Sequence, residues 1–131
     1  MITLDEYFKG RDKKYPKEFK EEYYGNAKEL LSRVNLFLSS INIVNVKVTS
    51  GWRPPSINKR IPRAAKMSLH TVAKAVDIYD PHKALKDLIM QHTDLLKVHN
   101  LWMEHPAWTL TWVHLDIGIR PERDTRIFRP F

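Results

Sequence analysis

One apolar stripe dominates the first third of the chain. Its members are spaced three and four residues apart, and they are Ala27, Leu30, Leu31, Val34, Phe37, Leu38 and Ile41. Because an α-helix has 3.6 residues per turn, this spacing places them all on one helical face. The stripe predicts a long amphipathic helix that buries one side against a second layer of structure.

The rest of the chain is patterned mainly as strands. Apolar residues alternate with other residues at 44–48, 75–79 and 110–117, and a short apolar segment at 101–104 is also typical of a strand. A second helix is expected at 85–100, where the apolar spacing returns to three and four. Helices followed by strands, with one helix between strands, predict an α+β fold with a small, mainly antiparallel sheet packed against helices. A length of 131 residues predicts a single domain covering 1–131.

Local signals divide the remaining segments. Thr3 followed by Glu6 is typical of a capping box that begins a short helix, and Pro16 can begin another. Three prolines lie in the segment 53–68, which predicts a long loop with a functional or mobile character. The C-terminal segment 120–131 carries four arginines together with Phe128 and Phe131, and it either packs back over the sheet or stays loose.

Composition limits the chemistry. The chain has no cysteine, which excludes disulfides, thiolate zinc sites and a cysteine nucleophile, so a metal would need histidine and carboxylate ligands. It has no long apolar run, which argues against a membrane span, and its first residues lack the pattern of a secretory signal. We therefore expect synthesis in a cytoplasm.

Positive charge is concentrated in the middle of the chain. The formal net charge is +7, and no Asp or Glu occurs between Leu30 and Val76. This favours an anionic partner, such as a nucleic acid, a membrane surface or a cell-wall polymer. A solvated basic loop explains the same charge run without any partner.

Two predicted strands place an ionisable residue opposite an apolar face. Asp77 lies between Val76 and Ile78, and His114 lies between Val113 and Leu115. His70 precedes Asp77 by seven residues. Two imidazoles and one carboxylate form a ligand set of catalytic zinc sites, although no HExxH pair is present. The structural alternative is that Asp77 caps a turn and His114 is a core histidine.

Three motifs in order resemble the D-alanyl-D-alanine metallopeptidase family. They are Ser50-Gly51-Trp52-Arg53, then Ser68-Leu69-His70-Thr71-Val72-Ala73-Lys74-Ala75-Val76-Asp77, and finally Trp112-Val113-His114. The family includes cell-wall carboxypeptidases, vancomycin-resistance dipeptidases and phage endolysin peptidases, and the hedgehog signalling domain shares its fold. The similarity covers 48–118, about half of the chain.

The resemblance implies roles for individual residues. It makes His70, Asp77 and His114 ligands of a zinc ion, Zn²⁺, and it gives Arg53 a cationic role beside the substrate carbonyl or carboxylate. It also implies supporting roles for Ser68 and Asn58. In this interpretation Lys74 stands where the family usually has glycine, which leaves the geometry of the adjoining loop open.

A zinc peptidase also needs a carboxylate that moves a proton during hydrolysis. The family usually has one a few residues before its last histidine, but positions 108–111 of this chain cannot serve. Glu104 is the nearest preceding carboxylate and is our preferred candidate. Asp116 is the rival, because period two places it on the same side of its strand as His114. Asp116 can instead orient a histidine or an arginine.

The resemblance implies a zinc peptidase, of carboxypeptidase or endopeptidase type, that cleaves peptidoglycan stem peptides or cross-links. A phage endolysin that acts on the cell wall after release fits a catalytic domain without a signal peptide, and an anionic wall polymer would be a second partner. Two alternatives stay open. The domain is a non-catalytic zinc-binding relative of the same fold, or it is a basic nucleic-acid-binding module, which lacks a recognisable sequence motif here.

Overall fold

The structure, a computed structural model, describes residues 1–130 and shows a small α+β fold. Its helices are α1 Leu4–Phe8, α2 Arg11–Lys14, α3 Glu22–Ser40, α4 Pro55–Asn58, α5 Ala84–Met90 and α6 Thr93–Val98. Its strands are β1 Val48–Ser50, β2 Ala75–Tyr79, β3 Trp102–Glu104, β4 Trp112–Asp116 and β5 Ile127–Phe128. In this described part of the chain, no helix is both long and apolar enough to cross a membrane.

The five strands form one open sheet in the order β1-β2-β4-β3-β5. All neighbouring pairs are antiparallel except β3 and β5, which run parallel. The fold class predicted from the order of helical and strand patterns is therefore confirmed. The predicted 120–131 segment contributes β5 at the sheet edge, while Phe131 lies outside the described residues.

One face of the sheet packs into the hydrophobic core. Val76, Ile78, Val113 and Leu115 alternate along β2 and β4 and are 0–1% exposed. They join the apolar stripe of α3, every member of which is buried in the same cluster. The opposite face carries the intervening residues of β2 and β4, including Asp77 and His114.

Three local predictions agree closely with the structure. Thr3 and Glu6 form the expected capping box, in which each side chain accepts the backbone N–H of the other residue. The strand predicted at 75–79 is β2, and the strand predicted at 101–104 is β3, which begins one residue later. The signals that predict these elements come from residues close together in the chain.

Several predicted bounds were wrong. The strand expected at 44–48 is displaced to Val48–Ser50, because ladder pairing with β2 begins only at Val48. The strand expected at 110–117 is shortened to Trp112–Asp116, which matches the five residues that β2 offers for pairing. Pro16 begins no helix, and α2 lies before it at Arg11–Lys14.

The helix expected at 85–100 is two helices. The chain leaves the helical conformation at His92, whose φ of −135° and ψ of 40° break the run between α5 and α6. His92 is therefore the residue that precedes α6 and not a member of a continuous apolar stripe. The loop expected at 53–68 also contains the short helix α4, which begins with a proline in its first turn.

The N-terminal helix is fixed to the sheet by a buried tyrosine. Tyr7 is 1% exposed and donates its hydroxyl to the carbonyl oxygen of Ala75 at 2.8 Å. Burial is the main cause that raises the pKa of Tyr7 well above its ordinary value, and the negative charge of Asp77 raises it further. Folding therefore keeps the proton on this phenol at pH values where the unfolded chain releases it.

This pKa difference predicts how stability depends on pH. Above about pH 10 the unfolded state loses the Tyr7 proton and the folded state retains it, so the free energy of unfolding should fall by up to about 1.4 kcal/mol per pH unit. In Tyr7→Phe the free energy of unfolding should no longer show this fall with rising pH. Urea unfolding at several alkaline pH values measures the difference. Tyr79→Phe is the control, since Tyr79 is half exposed. Parallel pH profiles for wild type and Tyr7→Phe would contradict the assignment.

Candidate metal centre

The polar face of the sheet brings the three predicted ligands together. Asp77 and His114 are directly paired across β2 and β4, and the short helical turn Leu69–Val72 delivers His70 from the preceding loop. One ligand atom from each of the three residues lies within 4.8 Å of the other two. All three side chains are at least largely buried, with 3–12% of each side chain exposed. This buried group can hold a metal ion.

His70 has one ring nitrogen committed to the backbone and one facing Asp77. Nδ1 lies 2.9 Å from the carbonyl oxygen of Gly51, which can only accept, so Nδ1 carries the proton. Nε2 then has a lone pair, and it lies 3.2 Å from Asp77 Oδ1. Despite that short distance, Nε2 is buried and makes no hydrogen bond.

Two electron-rich atoms therefore face each other inside the protein. A lone pair on His70 Nε2 beside a carboxylate oxygen is repulsive, and a buried nitrogen without a partner is costly. A cation that binds both atoms removes the repulsion and satisfies the nitrogen. Imidazole nitrogens together with a carboxylate oxygen are a donor set that binds divalent transition-metal ions, of which zinc is one.

His114 lies between two carboxylates. Its Nδ1 is 2.9 Å from Asp77 Oδ1, and its Nε2 is 2.8 Å from Asp116 Oδ2. Burial opposes charge on this ring, but hydrogen bonds with Asp116 and Asp77 outweigh burial and raise its pKa to about 10. The two carboxylates hold a proton on each ring nitrogen, so His114 must release one of these protons before it can bind a metal cation.

Asp77 is the carboxylate at the centre of the group. Burial alone would raise its pKa, but the positive charge that the imidazoles of His70 and His114 carry when they are protonated, and the hydrogen bonds they then donate, reverse that effect and lower it. Asp77 is therefore ionised at neutral pH, as a metal ligand must be. Arg53 Nη2 lies 3.7 Å from Asp77 Oδ2.

Arg53 is held by its own loop. It is 8% exposed and donates from Nη1 to Asn58 Oδ1 at 3.0 Å and from Nη2 to Ser50 Oγ at 3.3 Å. Asn58 in turn donates to the carbonyl of Ala65, which connects α4 to the loop that follows. The structure thus places the predicted Arg53 and Asn58 together beside the ligands.

Ser68 begins the turn that carries His70. Its hydroxyl accepts the backbone N–H of His70 at 3.2 Å, and the turn ends at Ala73 with a φ of 60°. The resembling motif has the form Ser-x-His-x-x-Gly-x-Ala-x-Asp, and with Ser68, His70 and Asp77 in place its glycine falls at Ala73. The assignment of that place to Lys74 was therefore wrong. The left-handed backbone that favours glycine occurs here at an alanine.

The two candidate proton carriers have different surroundings. Continuing the pairing of Trp102 with Asp116 and Met103 with Leu115 by one residue places Glu104 opposite His114. Glu104 is half-buried, and burial is the first cause that raises its pKa, with Asp77 and Asp116 adding to the rise and His114 opposing it. Asp116 is fully buried, and both of its oxygens accept hydrogen bonds.

Sequence reasoning missed two residues beside this centre. Arg120 forms a two-pronged pair with Asp116, from Nη1 to Oδ1 at 2.6 Å and from Nη2 to Oδ2 at 3.0 Å. The ring of Phe128 lies edge-on to His114, with centroids 5.7 Å apart. Both belong to the tail, where four arginines in similar surroundings gave no local signal that one of them reaches the sheet.

The close approach of Gly51 to helix α1 has a measurable consequence. A Cβ at position 51 would lie 2.0 Å from the backbone oxygen of Tyr7, and backbone cannot yield as a flexible side chain does. Gly51→Ala should therefore destabilise the fold by about 3 kcal/mol, at the upper end for overpacking, and it should displace the carbonyl that holds His70.

Urea unfolding measures this effect, and Gly25→Ala is the matched control. Gly25 is an exposed position in α3 with nothing within 4 Å of an added Cβ, so that change should stabilise the protein by about 0.5–1 kcal/mol. Equal unfolding midpoints for Gly51→Ala and wild type would refute the predicted clash.

Comparison with known proteins finds no match for this chain among family models, curated proteins or solved structures.

Proposed function

We propose that this protein is a zinc peptidase of the D-alanyl-D-alanine metallopeptidase type that hydrolyses peptide bonds in bacterial peptidoglycan. The observation that carries the proposal is the buried His70 Nε2, which has a lone pair, no hydrogen bond, and a carboxylate oxygen 3.2 Å away. The second and third sequence motifs support it, because they contain the same three side chains that the fold brings together.

The residues of the proposed site divide into holding and reacting groups. His70, Asp77 and His114 would hold zinc, which supplies a Lewis acid that polarises a carbonyl and makes water more acidic. With only three protein ligands, the bound zinc would also be able to bind substrate or water. Arg53, which lies beside Asp77, presents a permanent positive charge to the oxygen that becomes negative when the peptide carbonyl is attacked.

We assign the proton-transfer role to Glu104. Its place opposite His114 puts it on the polar face of the sheet, and its raised pKa brings a carboxylate closer to the working pH of a general base. Asp116 is a poorer candidate, because it is fully buried and bound by Arg120, His114 and the backbone of Gly118. We propose that Asp116 orients His114 instead.

The substrate class follows from the motif resemblance. Carboxypeptidase and endopeptidase action on stem peptides or cross-links are both consistent with it, as is an endolysin that reaches the wall after release. The basic segment supports an anionic wall polymer as a second partner, because the exposed Lys59, Arg60, Arg63 and Lys66 follow α4 directly.

Mass spectrometry of reaction products tests the proposal. Purified peptidoglycan is incubated with zinc-loaded protein, with protein held in excess chelator, and with His114→Ala at the same zinc concentration as the first sample. We expect shortened or uncross-linked stem peptides only in the first sample, and their masses identify the bond that is cut. Zinc binding without any new product would instead assign a non-catalytic zinc-binding domain, and salt-sensitive DNA binding without zinc would assign the nucleic-acid module.

Replacing Arg53 separates a role in the transition state from one in substrate binding. Arg53→Ala should lower kcat by about 100-fold with zinc still bound, since a preorganised donor to a developing oxyanion acts on the chemical step. Arg53→Lys keeps the charge but loses the planar fork and should recover only part of the rate. Steady-state kinetics make the measurement, with the exposed Arg60→Ala as control. A change in KM alone would show that Arg53 only binds substrate.

A further inference from the structure

The C-terminal tail places an arginine behind the carboxylate that contacts His114. Arg120 grips both oxygens of Asp116, and Asp116 Oδ2 in turn lies 2.8 Å from His114 Nε2. These three side chains form a continuous chain of contacts from the tail to the centre. None of the sequence motifs includes Arg120.

The fork geometry restricts the carboxylate plane. A guanidinium that donates to both oxygens holds the carboxylate coplanar with itself, which a single hydrogen bond does not do. The backbone N–H of Gly118 donates to Oδ1 at 3.0 Å and adds a third fixed contact. Three hydrogen bonds, in addition to the contact with His114, therefore hold the Asp116 carboxylate, and it has little freedom to rotate.

The direction of the hydrogen bond fixes the histidine. Because Asp116 is ionised and accepts from Arg120, it also accepts from His114, whose proton is then on Nε2. Nδ1 faces Asp77 at 2.9 Å, and it is the ring nitrogen that would give up its proton to bind a metal. A carboxylate that fixes the tautomer and ring orientation of a metal-binding histidine is a recurrent arrangement.

The tail is built to hold Arg120 in this place. The guanidinium carbon lies 3.7 Å from the ring centroid of Phe128 and 5.4 Å from that of Trp102. Phe128 belongs to β5 and pairs with Glu104, so the tail strand secures the ring that covers the arginine. The space is also tight at Gly118, where an added Cβ would lie 3.0 Å from Arg120 Nη1.

We infer that Arg120 is a positioning residue for the metal centre: it fixes Asp116, and through Asp116 it fixes the His114 imidazole so that Nδ1 points at the metal. The inference rests on the proposed metal site, and it assigns the C-terminal tail to that site. It also gives β5 a role in supporting the metal site, because β5 carries the Phe128 ring that covers Arg120.

Zinc dissociation constants of Arg120 variants test this inference. They are measured at neutral pH by competition with a chromophoric chelator, under conditions where circular dichroism shows each variant to be folded. Arg120→Ala should bind zinc about 10- to 100-fold more weakly than wild type, the usual effect of removing a partner that orients a ligand. Arg120→Lys, which offers one donor instead of a fork, should fall between the two.

Arg126→Ala is the matched control. Arg126 is also a tail arginine that stacks on Trp102, at 4.8 Å, but it pairs with Glu122 and Asn100 and makes no hydrogen bond with Asp116. Its loss should lower the melting temperature of the metal-free protein while leaving the zinc dissociation constant unchanged. Equal weakening of zinc binding in Arg126→Ala and Arg120→Ala would mean a general loosening of the tail and would overturn the inference.

Two further measurements separate positioning from stability. In the cobalt-substituted protein, Arg120→Ala should change the visible absorption bands, which report the ligand geometry, and Arg126→Ala should not. In a double-mutant cycle, adding Arg120→Ala to Asp116→Asn should weaken zinc binding little further, because Arg120 acts through Asp116. Full additivity of the two changes would refute that route.

The results that would refute the role of Arg120 differ from those that would refute the metal site. If wild type binds no zinc, the metal site itself is wrong. If wild type binds zinc and Arg120→Ala binds it equally well with unchanged cobalt spectra, the metal site stands and the role of Arg120 is refuted.

Discussion

Replacing either histidine of the buried group with alanine is expected to abolish stoichiometric zinc binding and all peptide hydrolysis. His70→Ala and His114→Ala each leave two protein ligands, and structural and catalytic zinc sites use at least three. His70→Gln provides a second variant at the most buried position, since it keeps most of the side-chain volume beside Gly51. The metal content of purified protein, measured by mass spectrometry, gives the answer directly.

Thermal unfolding supplies a second readout of the same change. A ligand that binds only the folded state stabilises it, by about 4 kcal/mol when free zinc is 1,000-fold above its dissociation constant. Wild type should therefore melt at a higher temperature in zinc than in chelator, and the histidine variants should not respond. His82→Ala is the control, because His82 is exposed and is not one of the three ligands. A zinc response that persists in both His70→Ala and His114→Ala would place the metal elsewhere.

Glu104→Gln should lower kcat by about 100-fold or more while zinc binding and folding are retained. Glutamine keeps the shape of the side chain and cannot accept a proton, and positioned general bases contribute about 100- to 10,000-fold to rate. The measurement is steady-state kinetics at saturating zinc, accompanied by metal analysis of the variant. The half-buried position of Glu104 at the end of β3 gives no reason to expect unfolding.

Asp116→Asn distinguishes the two carboxylates that the sequence left in competition. We expect this change to weaken zinc binding, because it disturbs the contacts of Asp116 with Arg120 and His114. At saturating zinc, the kcat of the variant should be close to that of wild type. The roles must be exchanged if Asp116→Asn destroys turnover with zinc bound while Glu104→Gln leaves it intact.

Local sequence was sufficient for elements whose signals are short-range. The apolar spacing predicted α3, the Thr3–Glu6 pair predicted the start of α1, and alternation predicted β2 with its observed bounds. These succeed because helix periodicity, capping and alternation are properties of residues close together in the chain. The three candidate ligands were assigned from the family resemblance of two short motifs, 68–77 and 112–114, each of which consists of neighbouring residues.

Tertiary structure decided everything that depends on pairing between distant segments. The bounds of β1 and β4 are set by the residues of β2 with which they pair. The break between α5 and α6 occurs where the chain turns at His92. The position of Glu104 opposite His114 follows from the register of β3 on β4. A shift by one residue would move Glu104 to the other face of the sheet, and no local pattern reports that register.

The sequence by itself therefore determined the fold class, the main helix and the types of residue available to bind a metal. The structure decided which nitrogen of each histidine faces Asp77, and it brought Arg120 from the tail to Asp116. The physical reason is that ring orientation and ion pairing depend on contacts between residues far apart in sequence. Residue types and periodicity, in contrast, are properties of neighbouring residues in the chain. His70 is oriented by the carbonyl of Gly51, and His114 is oriented by a carboxylate that the tail holds in place.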